Sequence, residues 1–186
     1  MQPTQKLPIV LAALLFALAA IAEIATGRSP VPGDADTIEQ NRRAALVQVD
    51  DALGRQDLVG ARRASQAAYE LARQSRSWRA LVDAADAHRR IATAPAGTPA
   101  AASRAREIYL AALTRARAEG SLEGVLGAAE GFAALGDRDV AEQALHIAAK
   151  LAARAPDPAA PTTVEMARGR LLEGRAVGIT QTQTGF

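Results

Sequence analysis

Alanine makes up about a quarter of this chain, and the alanines are grouped in helix-length runs separated by short turn segments. Alanine is the strongest helix former, and its small side chain lets neighbouring helices approach closely. Aromatic residues supply only 3% of the sequence, and the β-branched composition typical of strands is missing. A length of 186 residues suits one domain with a short appendage. These features predict an all-α protein.

Short turn signals divide these runs into helix-sized pieces. The hexapeptides ALGRQD, at 52–57, and ALGDRD, at 134–139, each place a glycine suited to a helix end before an aspartate suited to the next helix start. Thr98 with Pro99 marks a further helix start, and Gly120 marks a further helix end. These signals predict six helices, at about 36–53, 57–74, 78–91, 98–119, 121–135 and 139–154.

Three pairs of residues have the spacing of a capping box, in which a short polar side chain precedes a glutamate by three positions. They are Asp36 with Glu39, Asp139 with Glu142, and Thr162 with Glu165. The first two pairs are predicted to begin the first and sixth helices. The third begins a seventh helix that covers the open end of the domain, followed by a tail at 177–186 that we expect to be disordered.

The first six helices form three pairs, and the second helix of each pair repeats one alanine spacing. Alanine recurs seven and eleven residues after Ala61, Ala105 and Ala141. The position four residues after each of these is filled by Ser65, Tyr109 and Leu145. Residues at 0, 4, 7 and 11 lie on one helix face. The pattern predicts that each second helix packs this face inward.

The third pair, at 122–155, resembles the tetratricopeptide repeat, a helix–turn–helix unit of about 34 residues. The matching positions are Val125, Ala128, Ala129 and Phe132 in the first helix, Gly136 and Asp137 at the turn, and Ala141 and Ala148 in the second helix. The second pair differs from this repeat by an inserted loop at 93–99. The first departs because its turn glycine, Gly54, lies seven residues before Ala61 rather than five.

This resemblance implies three hairpins stacked as a short solenoid, with a groove lined by first-helix side chains and the seventh helix as a cap. The groove should involve the helices around 44–53, 79–88 and 123–134. An irregular antiparallel helical bundle without repeat ancestry is the alternative.

The N-terminal segment contains an apolar run, Leu7–Ala25, that follows Lys6. At about 1.5 Å per residue, a helix over this run is roughly 28 Å long, close to the ~30 Å hydrocarbon core of a bilayer. The run predicts a transmembrane anchor within residues 1–25. A signal peptide that is cleaved near Ala22 is the alternative.

Both alternatives export the rest of the chain. A weak positive-inside bias favours a cytoplasmic N-terminus, which predicts a single-pass protein of the cytoplasmic membrane with its C-terminal domain in the periplasm. Residues 26–36 hold several prolines and glycines, so we expect a flexible linker there, leading to a helical domain at 37–176.

Composition and motifs argue against an enzyme and against a nucleic-acid-binding protein. The chain has no cysteine, which excludes disulfides, thiolate metal sites and cysteine nucleophiles. Its 22 basic and 20 acidic residues nearly balance, and so few aromatic residues offer no surface for base stacking. The sequence has no serine nucleophile elbow and no glycine-rich phosphate loop. We expect no catalytic residues, no cofactor, no nucleic-acid partner and no small-molecule substrate.

The two histidines do not suggest a metal site. His88 lies near Asp83 and Asp86 on the predicted third helix. The two carboxylates share a helix face, but His88 points roughly 140° away from Asp83 on helical geometry. His146 stands in a stripe of charged side chains that we expect to be exposed.

Arginines occur in pairs at 42–43, 62–63 and 89–90, which we predict to lie on solvated helix surface. Four charged residues on the first helix of the middle pair are the candidate partner-binding residues: Arg79, Asp83, Asp86 and Arg89. Arg79 and Arg89 are expected to be exposed, and so to matter for binding but not for folding.

Taken together, these features favour a membrane-tethered, periplasmic adaptor of tetratricopeptide type that binds another protein or a peptide segment, in the assembly of the cell envelope or of a periplasmic complex. The alternative is a structural accessory subunit of such a complex, without a free peptide groove.

Overall fold

The computed structural model describes the backbone of residues 32–180 and the side chains of residues 34–171. This part of the chain contains seven α-helices and no strand, so the prediction of an all-α protein is confirmed. Of the helices that the structure describes, none combines the length and apolarity of a membrane span. The predicted anchor at Leu7–Ala25 and residues 181–186 of the predicted tail lie outside the described residues.

The helices are α1 (Pro32–Gly54), α2 (Leu58–Ser75), α3 (Trp78–Thr93), α4 (Pro99–Ala118), α5 (Leu122–Ala134), α6 (Arg138–Ala152) and α7 (Ala160–Thr180). From Thr37 onward they form one compact unit. Helix α1 begins inside the stretch where the sequence predicts a linker, and α7 continues past residue 176. We call α1, α3 and α5 the first helices, and α2, α4 and α6 the second helices.

Polar side chains cap three helices at the predicted starts. Asp57 accepts a hydrogen bond from the backbone N–H of Gly60 at 2.8 Å, at the start of α2. Ser77 and Ser121 cap α3 and α5 in the same way. Pro99 is the first residue of α4, where its missing N–H has no intrahelical partner to lose.

The three predicted capping boxes are wrong. Helices α1, α6 and α7 begin before them, so that Asp36, Asp139 and Thr162 lie inside the helix. In α6 the N-cap position is held by Asp137, and Asp139 lies in the first turn. A carboxylate is favoured anywhere in the first turn by the helix dipole, so the same spacing arises without a cap.

Three turns share one hydrogen-bond pattern. Each has a residue in the left-handed region: Gln56 (φ 58°), Gly120 (φ 68°) and Gly136 (φ 84°). The N–H of the next residue donates to the carbonyl five positions back, as from Asp137 to Phe132 at 2.9 Å. This is the Schellman arrangement, which satisfies carbonyls left open at a helix end.

The left-handed residue of the first turn is therefore Gln56, whereas Gly54 is the last residue of α1. Gln56 lies five residues before Ala61, as Gly136 lies five residues before Ala141. The sequence suggests that the first unit has a longer turn, but the backbone spacing is the same in both units. Only the residue type differs.

The alanine faces of the second helices are buried, as predicted. No residue of the 0, 4, 7, 11 pattern in α2, α4 or α6 is more than 3% exposed. The main core includes these faces of α4 and α6 together with residues of α3, α5 and α7, and a smaller cluster joins α1 to α2 and α3. Small side chains at these positions let the helix axes approach, because little volume separates the backbones.

Two glycines of α5 accommodate aromatic rings from neighbouring helices. A β-carbon on Gly124 would lie 2.7 Å from the Trp78 ring of α3. A β-carbon on Gly131 would overlap the ring of Tyr109 of α4. The Tyr109 side chain is fully buried, and the centre of its ring lies 5.7 Å from the centre of the Phe132 ring. These glycines are needed for close packing and not for a turn.

Candidate interaction surface

The first helices and α7 lie side by side and are joined by charged side chains. The ion pairs are Arg42–Asp83 and Asp50–Arg90 between α1 and α3, Arg79–Glu123 between α3 and α5, and Glu130–Arg170 between α5 and α7. Residue numbers rise together in the two α1–α3 pairs, so these helices run parallel. We call the outward side of α1, α3, α5 and α7 that carries these pairs the first-helix face.

Arg79 is the most accessible of the four predicted partner-binding residues. Its guanidinium donates to Glu123 at 2.5 Å and lies 4.4 Å from the centre of the Trp78 ring. The side chains of Arg79 and Glu123 are 63% and 70% exposed, so both remain open to a partner.

Asp83 is tied to a buried arginine of α1. Arg42 donates to Asp83 at 2.7 Å and makes two hydrogen bonds of 2.8 Å to Glu39. The Arg42 side chain is only 7% exposed, so the prediction that the 42–43 pair is solvated is wrong for this residue. The hydrogen bonds from Arg42, helped by one from Arg43, lower the pKa of Glu39 to about 2. Asp83 therefore supports the α1–α3 contact.

Asp86 and Arg89 belong to a network around a buried tyrosine. The Tyr109 hydroxyl donates to Asp86 at 2.6 Å, and Arg89 donates to both the carboxylate and the phenolic oxygen. Burial, and then the hydrogen bond to Asp86, raise the pKa of Tyr109 above its ordinary value. The Arg89 side chain is 29% exposed. The expectation that Arg89 is a freely exposed charge is therefore wrong, because it is bonded within the fold.

A cavity of about 480 Å³ opens on the first-helix face between α5 and the start of α7. Its apolar lining comes mainly from Leu122, Leu126 and Gly127, and its charged lining from Glu123, Glu130 and Asp157. Val82 of α3 lies beside Gly127 and extends the apolar strip. The lining contains carboxylates but no basic residue, although Arg79 and Arg170 reach two of these carboxylates from outside. The cavity can therefore bind a segment that presents an apolar side chain next to a hydrogen-bond donor.

His88 is buried in α3, 6% exposed, and no described residue bonds to its Nε2 atom. Burial, and then the positive charge of Arg104, lower its pKa to about 4. His88 lies eleven residues after the N-cap Ser77, as Phe132 lies eleven after the N-cap Ser121. The imidazole therefore occupies a core position as a neutral ring. In the described part of the chain, no three His, Cys, Asp or Glu side chains are grouped so as to hold a metal ion.

Two arginines of the second helices link successive units, a role that their sequence positions did not reveal. Arg62 of α2 donates to Thr98 at 3.4 Å, and Arg106 of α4 donates to Asp137 at 2.5 Å. Each arginine follows the first alanine of its pattern, and each reaches the N-cap residue of the next second helix. The sequence signal that could have identified this role is that an arginine directly follows the first alanine of the pattern in both α2 and α4.

No model of a known protein family matches the chain, and no curated protein matches it.

Proposed function

We propose that this chain is a membrane-tethered adaptor of tetratricopeptide type that faces the periplasm and binds a peptide segment of another protein along its first-helix face. The observation that carries the proposal is the cavity between α5 and α7, where an apolar strip runs between exposed carboxylates. An extended or helical segment that presents an apolar side chain beside a lysine or arginine complements such a lining.

The ion pairs along this face support the same function. Arg79–Glu123 and Glu130–Arg170 hold four long side chains in place before a partner arrives. Binding then requires less loss of side-chain freedom, which is the general advantage of a preorganised surface. Carboxylates that already hold an arginine keep further lone pairs for a donor from the partner.

The tether is proposed from the run Leu7–Ala25, which has the length of a membrane span. A reporter enzyme that is active only outside the cytoplasm, fused after Phe186, should be active. The mass of the mature chain then separates an anchor from a signal peptide cleaved near Ala22. Activity of a cytoplasm-only reporter at the same position would contradict the export of the domain.

The binding surface is tested by placing a photo-crosslinking amino acid at Leu126, which lines the cavity, in the full-length chain in its native cells. The matched control position is Leu110 of α4, which is 55% exposed and lies outside the first-helix face. We expect a discrete adduct with one partner from Leu126 and none from Leu110.

The alternative, a structural accessory subunit, predicts a different outcome. A chain embedded in a larger complex should give adducts with subunits of that complex from both positions, because both surfaces would be covered. An absence of any adduct from Leu126, with adducts from Leu110, would contradict a binding role for the first-helix face.

A further inference from the structure

A second groove lies at the C-terminal end of the helix stack, beside α6 and α7. Its volume is about 480 Å³. Apolar residues form its floor: Ala133, Ala141, Leu145 and Leu171. Charged and polar residues form its rim: Arg138, Asp139, Glu142, His146 and Arg168. It is lined mainly by the second helix α6, and it shares no residue with the cavity on the first-helix face.

The helix order explains why a groove occurs here. Helix α2 is followed in the stack by α4, and α4 by α6, and in both steps an arginine of one second helix reaches the N-cap of the next. Helix α7 pairs with α5 through Glu130–Arg170 and so takes the place of a first helix. Among the described residues no further second helix follows it. The groove therefore lies where the next helix after α2, α4 and α6 would be.

The residue that corresponds to the two linking arginines has the opposite charge. Arg62 and Arg106 each follow the first alanine of their helix, and Glu142 follows Ala141 at the same position in α6. Glu142 is exposed, and no described residue forms an ion pair with it. Where Arg106 meets an aspartate at the start of the next helix, Glu142 offers a carboxylate at the corresponding place.

We propose that this groove binds an amphipathic helix of a partner protein, with alanine or leucine on its buried ridge and a lysine or arginine in its first turn. The helix would lie parallel to α6 and continue the series of second helices. A second copy of this chain fits less well, because the N-cap residue of its α2 is Asp57, which would face Glu142. Two carboxylates that face each other repel, which disfavours stacking of the chain on itself.

The test uses two synthetic helical peptides that copy the length and apolar ridge of α6. One carries lysine in place of both Asp137 and Asp139, and the other keeps the aspartates. Binding to the full-length chain in mild detergent is followed by fluorescence anisotropy at low salt. We expect the lysine peptide to bind about three- to tenfold more tightly than the aspartate peptide, as for charge pairs at an interface rim.

The decisive variant is Glu142→Arg, which restores the arginine of the earlier units. It should reverse the preference between the two peptides, while Glu107→Arg, on an exposed part of α4 outside the groove, should leave the preference unchanged. Circular dichroism checks that both variants are folded. Tighter binding of the aspartate peptide, no saturable binding of either peptide, or a preference that survives Glu142→Arg would each overturn the proposal.

Discussion

The ring of Tyr109 lies against the backbone of Gly131 so closely that one added methyl group would overlap it. Four residues earlier in the same helix, a β-carbon on Gly127 would lie 3.9 Å from a methyl group of Val82, an ordinary van der Waals distance. One turn of α5 therefore separates a glycine that packing requires from a glycine that it does not.

Alanine substitutions at these two glycines should have opposite effects. Gly131→Ala should lower the free energy of unfolding by about 1–3 kcal/mol, because the Tyr109 ring is enclosed and cannot move aside. Gly127→Ala should raise it by about 0.5–1 kcal/mol, because alanine favours the helix. Urea denaturation followed by circular dichroism measures both. Equal effects at the two positions would contradict the packing described for Tyr109.

A second pair of substitutions tests the turn between α1 and α2. Gln56→Gly should raise the free energy of unfolding by about 0.5–1 kcal/mol, because a left-handed conformation is unfavourable for a residue with a β-carbon. Gly54→Ala should also stabilise, by about 0.5 kcal/mol, because Gly54 is helical and a β-carbon there would meet no atom within 4 Å. A destabilised Gly54→Ala variant would show that Gly54, and not Gln56, is the left-handed residue.

His88 predicts the dependence of stability on pH. Its pKa is lowered from 6.5 to about 4 in the folded chain, so between these values the unfolded chain binds a proton that the folded chain does not. Stability should therefore fall as the pH decreases from 6.5 to 4, by about 3 kcal/mol in total.

The variant His88→Phe, which copies Phe132 of α5, should remove most of this slope. A further loss of stability below pH 4.5 should remain, because the lowered pKa of Glu39 makes its carboxylate harder to protonate in the folded chain. His146→Gln, at an exposed position, is the matched control and should keep the slope between pH 4 and 6.5. An unchanged slope in His88→Phe would rule out His88 as its source.

Arg79 and Arg89 should respond differently to a change of charge. Arg89→Glu places a carboxylate beside Asp86 and removes a donor to Tyr109, so the free energy of unfolding should fall by about 2 kcal/mol. Arg79→Glu disturbs an exposed pair with Glu123 and an exposed contact with the Trp78 ring, and should change the free energy of unfolding by about 1 kcal/mol or less. Thermal melts compare the two. A larger effect at Arg79 would contradict the network around Tyr109.

Much of the fold follows from local sequence. Helix formation depends on residues within a few positions of one another, so the alanine runs and the turn signals locate all seven helices of the described part to within a few residues. The inward faces of α2, α4 and α6 follow from spacing alone, and they are buried. The start of α6 was misplaced because an acidic first turn and a cap look alike in sequence. Helices α1 and α7 begin at Pro32 and Ala160, before the predicted caps at Asp36 and Thr162.

Tertiary structure decided which of the charged residues are accessible. Composition gives no reason to distinguish Arg42 from Arg43, or Arg89 from Arg79, yet Arg42 is buried against Asp83, and Arg89 is held by Tyr109. The partners of these arginines lie 41 and 20 residues away along the chain. Burial and ion pairing depend on such distant neighbours, which only the packing of the helices brings together. For the same reason Gly131 is a required glycine, because the Tyr109 ring that meets it comes from another helix.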